Sequence, residues 1–367
     1  MIPIGNLRRK YLVRKNEFDS AILRVLDSGW FILGKEVEEF EKEFAAYCGK
    51  NYGIGVGSGF DALLLALKAL EIGDGDEIIT VPHTAIPTVA AIIASGAIPK
   101  FVDVGEDCLM DVNKIKEVIT EKTKAIMPVH LYGQACDMEQ ILEIANQHNL
   151  FIIEDCAQAH GAEYKGKRVP ISTLGCFSFY PSKNMGAFGD GGMIVTDSEA
   201  ISTRLKMLRN YGQATRYHAK MQGYNTRLDE LHATILRVQL KYLNEDNEIR
   251  KQIALRYNLL LKEIVTIPNV NQNKKHVYHL YVIKTDKRDR LKEKLNELGI
   301  GTEIHYPIPL HLQEAYKYLG YKNGDFAQTE KAAKEILSIP IYPELTDTEI
   351  ETVAQKIKEV MQNMAGP

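Results

Sequence analysis

"CFSFYPSKNMGAFGDGG", residues 176–192, sets a single lysine between an aromatic run and a run of glycines. Four glycines occupy the nine positions after Lys183, and no acidic residue stands beside it. A P-loop is excluded by order, because there the glycines precede the lysine and a Ser or Thr follows it. The flanking runs "GCFSFY" (175–180) and "GMIVT" (192–196) read as buried strands, which leaves Lys183 at a strand end. Lysines are normally solvated, and this apolar setting is a poor one for a surface charge.

Upstream the same rhythm continues. "YGIGVG" (52–57), "EIITVP" (77–82), "IPKFVDV" (98–104), "KAIMPVH" (124–130) and "LFIIED" (150–155) read as strands, and "DALLLALKAL", "TVAAIIASG", "NKIKEVI" and "MEQILEIANQHN" between them as helices. Such alternation implies a mostly parallel α/β sheet covered on both faces, with ligands at the carboxyl ends of its strands. Beyond Thr196 the pattern turns helical, with a long polar stretch from about Leu228 to Ile264. A smaller α+β unit follows: strands at "VYHLYVIK" and "GTEIHYP", helices at "DRLKEKLNELGI" and "TDTEIETVAQKIKEVMQ". The expected division is a large unit over residues 1–245, whose first 35 residues form an arm that fits against either unit, and a small unit over 246–367.

Composition narrows the function classes. A chain of 367 residues with 45% hydrophobic content buries a large core, and a net charge of −3 gives no footprint for nucleic acid or an anionic membrane. The five cysteines (Cys48, Cys108, Cys136, Cys156, Cys176) form no CxxC pair, so neither zinc nor a disulfide framework is expected, and no metal site at all. The basic N-terminus lacks an apolar core behind it and no run approaches 18 apolar residues, so a reduced, cytoplasmic setting fits. The trailing "AGP" reads as a frayed end.

Two further features stand at expected strand ends. In "GVGSGFDALLLAL" a strand turns through Gly57, Ser58 and Gly59 into a helix, whose first amides, those of Gly59 and Phe60, suit an anion. Read alone, the string also admits a plain tight turn or, through its G-x-G-x-x-A pattern, a dinucleotide site. In "FIIEDCAQAHG" Asp155 ends a buried strand, where it suits either a loop cap or the partner of a protonated ring nitrogen, with Gln158 in reach of a ring substituent. A Schiff-base lysine, a ring-nitrogen carboxylate and a phosphate cup together match the three functional groups of pyridoxal 5'-phosphate.

"GSGFDALLLAL", "EDCAQAHGAEYKG", "SFYPSKNMGAFGDGG", "GYNTRLDELHATIL" and "HYPIPLHLQEAY" resemble, in order, the successive signatures of the DegT/DnrJ/StrS-type nucleotide-sugar aminotransferases. The resemblance runs over essentially the whole chain. It implies the aspartate-aminotransferase fold (fold type I of pyridoxal-phosphate enzymes), a large mixed, mostly parallel sheet domain with a smaller C-terminal α+β domain, and a homodimer with active sites at the subunit interface. It makes Lys183 the Schiff-base lysine, Asp155 the partner of the pyridine nitrogen and Gln158 a contact to the ring hydroxyl. It makes Ser178 and the amides of Gly59 and Phe60 the phosphate site, Asn225 a phosphate ligand reaching in from the other subunit, and His83 a cover over the cofactor ring. By their residue types alone, His83 also fits a satisfied loop histidine and Asn225 a helix cap. Phe60 stands where many relatives have Thr, so only a backbone contact is expected there. Relatives that act as sugar dehydratases carry a histidine at the lysine position, whereas this chain has Lys183.

The stretch "DSGWFILGKEVEEFEKEFA" (27–45) resembles the members that act on 3-keto-6-deoxy sugars. Bulky Trp30, Phe31 and Leu33 in an arm near the site would turn C3 of the sugar towards the cofactor, although core packing suits them as well. The expected reaction converts a dTDP-3-keto-6-deoxyhexose to a dTDP-3-amino-3,6-dideoxyhexose with L-glutamate as donor, for an O-antigen, an S-layer glycan or an antibiotic. The alternatives are the same chemistry at C4 of a dTDP- or UDP-4-keto sugar, and a non-catalytic regulatory relative.

Overall fold

The computed structural model describes residues 1–365; Gly366 and Pro367, two of the three residues of the expected frayed end, lie outside the described residues. The arm forms α1 (Leu7–Val13), α2 (Lys15–Ser28) and α3 (Lys35–Tyr47). It touches both units. Phe18 and Ala21 of α2 pack on Ile235 and Val238, Ile2 bridges Ile300, and Arg9 pairs with Glu349.

Runs rich in Val and Ile become strands because branched side chains suit the pleat, and burial on both faces removes them from water. In chain order they are β1 (Tyr52–Val56), β2 (Glu77–Thr80), β3 (Ile98–Phe101), β4 (Thr123–Ile126), β5 (Phe151–Ile152), β6 (Glu154–Asp155), β7 (Leu174–Ser178) and β8 (Gly192–Thr196). β2 lies parallel to β3 and β4, β4 to β5, and β6 to β7. β8 runs antiparallel between β7 and β1. A parallel bridge from Val129 to Asp155 joins the two quartets into one mixed sheet. Alternate residues face opposite sides: Ile54, Ile78, Cys176 and Ile194 join Leu63, Leu65 and Leu67 of α4 (Gly59–Ala69) and Ile92 of α5 (Ile86–Ala94). Ile79, Phe177, Met193 and Val195 face the other way, with Phe40 and Phe44 of α3 and Ile141 of α6 (Met138–His148). That period of two is why these runs carry no polar face.

α7 (Glu199–Leu208), α8 (Glu230–Leu240) and α9 (Leu243–Leu261) follow. Glu230, at the start of α8, accepts the N–H groups of Gly34, Glu36 and Val37 at 2.8–2.9 Å and so caps α3. Each such charge-assisted bond is worth about 1.5–3 kcal/mol, which fixes the arm to the large unit. A separate core gathers Ile253, Tyr257 and Leu261 of α9 with Tyr281 and Ile283 of β9 (Tyr281–Lys284), Leu291 and Leu295 of α10 (Arg288–Glu297), and, after α11 (Ala327–Glu335), Leu337 and Ile339 of β10 (Ile336–Ile339) and Val353 and Ile357 of α12 (Asp347–Ala365). Among the described residues no helix is long and apolar enough to cross a membrane.

Three local expectations are corrected. "NKIKEVI" lies in a 3-10 helix, Val112–Val118, too short to gain much from α-helical propagation. The strand in "VYHLYVIK" begins only at Tyr281, since Tyr278 takes a positive φ of 45° that breaks the extended run. "GTEIHYP" is not a strand; Glu303 makes one isolated bridge to Ser338. The partner of β9 is instead "ILSI", Ile336–Ile339, all four residues buried.

Candidate active site

Lys183, Asp155, Ser178 and Gly59 come from four sequence blocks, and the sheet brings them to its carboxyl edge. Asp155 ends β6 and pairs in register with Cys176 of β7; Ser178 ends β7, and Gly59 opens α4 after β1. Lys183 follows on a tight loop closed by Lys183 N–H to Tyr180 O (2.9 Å) and Ala187 N–H to Phe179 O (2.7 Å). The glycines serve this loop. A Cβ on Gly186 would lie 2.4 Å from Pro181 O, and one on Gly192 would lie 2.1 Å from Ser58 O, so side chains there would force the backbones apart.

The candidate phosphate cup is built from α4 and its neighbours. Ser58 caps the helix by accepting the Asp61 N–H at 3.1 Å, and Gly57 donates its N–H to Thr226 Oγ1 at 2.9 Å. The Gly59 and Phe60 amides find no protein acceptor among the described residues. Ser178 presses against Gly59, where a Cβ would fall 2.5 Å from Ser178 Cβ, so two amides and a hydroxyl share one concave spot. The Phe60 ring packs against the apolar core instead.

The charges match this geometry. Asp155 is buried; Thr88 Oγ1 donates to its Oδ2 (2.8 Å) and Ala157 N–H to its Oδ1 (3.1 Å), yet burial still raises its pKa. Lys183 Nζ has no hydrogen bond or ion pair among the described residues, and burial lowers its pKa to about 8 despite the field of Asp155. A carboxylate and an amine that feel each other without pairing fit a ligand that binds both, as a pyridine nitrogen and an aldehyde of one ring would.

Gln158 accepts the Tyr132 N–H at 2.7 Å through Oε1 and donates to Tyr306 Oη at 3.0 Å through Nε2. His83, buried after β2, shares a 2.8 Å hydrogen bond with Tyr132 Oη through Nε2, while its Nδ1 has no partner; burial lowers its pKa to about 4, so the ring is neutral. Behind Asp155 a buried group of His130, Glu154 and Cys156 brings possible metal-ligand atoms within 4.8 Å of one another. Its main donors are already committed: His130 Nδ1 accepts the Cys136 N–H at 3.1 Å, so Nε2 carries the proton given to Glu154 at 2.8 Å.

Asn225, Trp30 and Phe31 stand apart from Lys183 and Asp155 of their own chain. Asn225 is exposed and bridges Asn210, and no hydrogen bond links it to Lys183 or Asp155. Trp30 (63% exposed) and Phe31 (46%) do not line the Lys183 chamber, contrary to the expectation of an arm pressing on the sugar there. They are held away because Phe31 O accepts the Glu230 N–H (3.1 Å) and Ile32 bridges Asp229. Conversely, Thr88, Tyr132, Tyr306, Lys10 and Arg250 were not singled out from the sequence. Apart from Tyr306, which stands in the quoted "HYPIPLHLQEAY", each lies in a stretch whose composition is that of an ordinary loop or helix.

The chain is similar over nearly its whole length to known proteins. The profile of the "DegT/DnrJ/EryC1/StrS aminotransferase family" matches residues 13–358. The "dTDP-3-amino-3,6-dideoxy-alpha-D-galactopyranose transaminase" of Aneurinibacillus thermoaerophilus is 46% identical over 97% of this chain and 99% of its own. A "Pleiotropic regulatory protein" of Geobacillus stearothermophilus is 43% identical over 99% of this chain and all of its own. The crystal structure of S. venezuelae DesV in complex with a ketimine intermediate superimposes with a TM-score of 0.97 at 42% identity, covering 98% of each chain. The architecture is therefore that of fold type I pyridoxal-phosphate enzymes, and the chain belongs to the DegT/DnrJ/EryC1/StrS aminotransferase family.

Proposed function

We propose that this chain aminates C3 of a dTDP-linked 3-keto-6-deoxyhexose, with L-glutamate as donor. The observation that carries the reading is the unpaired Lys183 and Asp155 facing one phosphate cup. Support for the sugar comes from relatives whose names specify dTDP-3-amino sugars. Bound pyridoxal phosphate supplies an aldehyde for amine exchange and a ring that accepts electrons. Lys183 supplies the amine that links to that aldehyde and, once released, moves a proton from the donor α-carbon; a pKa near 8 leaves a useful share of free base. Asp155, oriented by Thr88 and the Ala157 amide, holds the ring-nitrogen proton. Ser178 with the Gly59 and Phe60 amides takes the phosphate, Gln158 the ring hydroxyl, and His83 covers the ring. The large unit (1–245) carries these groups, and Arg250, His279 and His305 of the small unit (246–367) line the chamber beside Lys183.

The working unit in this reading is a cytoplasmic homodimer. Exposed apolar side chains on the arm and the Lys183 loop (Leu7, Leu23, Leu26, Trp30, Phe31, Phe188) form a face that suits a second copy. Asn225 and the 30–33 segment, joined through Asp229 and Glu230, then reach the partner's site together. Lys183→Ala and Asn225→Asp subunits, each inactive alone, are expected to recover activity when mixed, since one site in each heterodimer is then intact. Confirmed subunit exchange without recovered activity counts against donation across the interface.

The defining experiment offers nucleotide-linked 3-keto and 4-keto sugars with glutamate and identifies the products by mass and NMR. The expected product is a dTDP-3-amino-3,6-dideoxyhexose. Amination of a dTDP-4-keto-6-deoxyglucose alone selects the C4 alternative. No cofactor conversion by any donor selects the regulatory one, in line with the name of the Geobacillus relative.

A further inference from the structure

Lys183 opens into a chamber of about 280 Å³ that Lys10 of the arm and Arg250 of α9 also line. Arg250 is 7% exposed, and its Nη1 donates to two neutral acceptors, Tyr278 O (3.3 Å) and Ile341 O (2.9 Å). Its Nε is buried without a partner, and no ion pair compensates its charge among the described residues. Lys10 makes one hydrogen bond, from Nζ to Lys183 O at 3.4 Å. Burial and the neighbouring Arg250 lower the Lys10 pKa to about 8, and burial lowers that of Arg250 to about 10. Asp246 and Glu344 in the same walls act on both cations through space and partly offset the lowering, but neither forms an ion pair with Arg250 or Lys10. Asp246 is engaged in a two-pronged pair with Arg14, Glu303 is exposed, and Glu344 makes no ion pair and is itself raised by burial.

A buried guanidinium held by carbonyls alone is costly unless an anion completes it. Its free edge matches the two oxygens of a carboxylate. We propose that Arg250 and Lys10 form the docking site for a carboxylate of the amino-acid donor, beside the lysine that takes the donor's α-proton. This rests on the aminotransferase reading above.

The test uses cofactor-loaded enzyme and two readouts: the concentration dependence of the absorbance change with L-glutamate, and the rise in Tm caused by unreactive glutarate. Lys10→Met and Arg250→Gln are expected to raise half-saturating glutamate about tenfold or more and to abolish the glutarate shift. The reverse half-reaction of aminated enzyme with keto sugar should keep its saturation. Arg250→Lys is expected to fall between. L-alanine as a second donor tells which carboxylate is held: an equal loss marks the α-carboxylate, a loss confined to glutamate the side-chain one. Unchanged glutamate saturation and glutarate shift in Lys10→Met and Arg250→Lys overturn the proposal even if Arg250→Gln fails to fold. Equal damage to both half-reactions, indicating a merely structural role, also overturns it. If wild-type enzyme converts with no amino acid, the aminotransferase reading fails instead, and the glutarate shift alone judges the anion site.

Discussion

Lys183→Ala is expected to abolish transamination and the borohydride-fixable link between protein and cofactor while leaving the fold unchanged. The side-chain amine makes no hydrogen bond among the described residues, and the loop is held by the backbone groups of Lys183 and Ala187, which the substitution keeps. Unfolding temperature should therefore stay near that of the parent, while the visible absorbance of covalently held cofactor disappears. A variant that still traps cofactor covalently, with peptide mapping to another lysine, removes Lys183 from its role.

Asp155→Asn is expected to slow the glutamate half-reaction by roughly 100-fold, the scale seen when one preorganised electrostatic contact is lost in a dry site. Cofactor affinity should change far less, because the phosphate cup of Ser178, Gly59 and Phe60 is untouched. Asn keeps the shape, and its carbonyl oxygen still accepts from Thr88. What it loses is the negative charge that stabilises a protonated ring nitrogen, together with the acceptor that Oδ1 offers the Ala157 N–H. The same burial that raises the Asp155 pKa is what makes a cationic partner worth binding. Single-turnover absorbance changes with glutamate measure the rate, and conversion at the parental rate dismisses the ring-nitrogen assignment.

Much of the sheet was readable because its strands are buried on both faces. Runs such as "EIITV" and "GMIVT" carry the signal in composition alone, and Gly57 to Gly59 mark the turn into α4. The errors fell where long-range pairing outweighs local pattern. "ILSI" is only four residues long and merges in sequence with the end of α11, so nothing local marks it as the partner of β9. "GTEIHYP" alternates like a strand, but Ser338 already sits in the β10 ladder and leaves Glu303 a single bridge.

The sequence by itself determined the covered α/β sheet, the placement of Lys183 and Asp155 at strand ends, and the glycine turn at a helix start, because each is a local arrangement written in adjacent residues. Only the tertiary structure decided that Lys183 and Asp155 lie close enough to feel each other's charge without pairing, that Thr88 orients the carboxylate, and that Trp30 and Phe31 turn away from the chamber beside Lys183. It alone brought Lys10 and Arg250, 240 residues apart in the chain, to the walls beside Lys183. The physical reason is that burial and the absence of a counter-charge belong to the packed assembly of elements, and no stretch of sequence contains them.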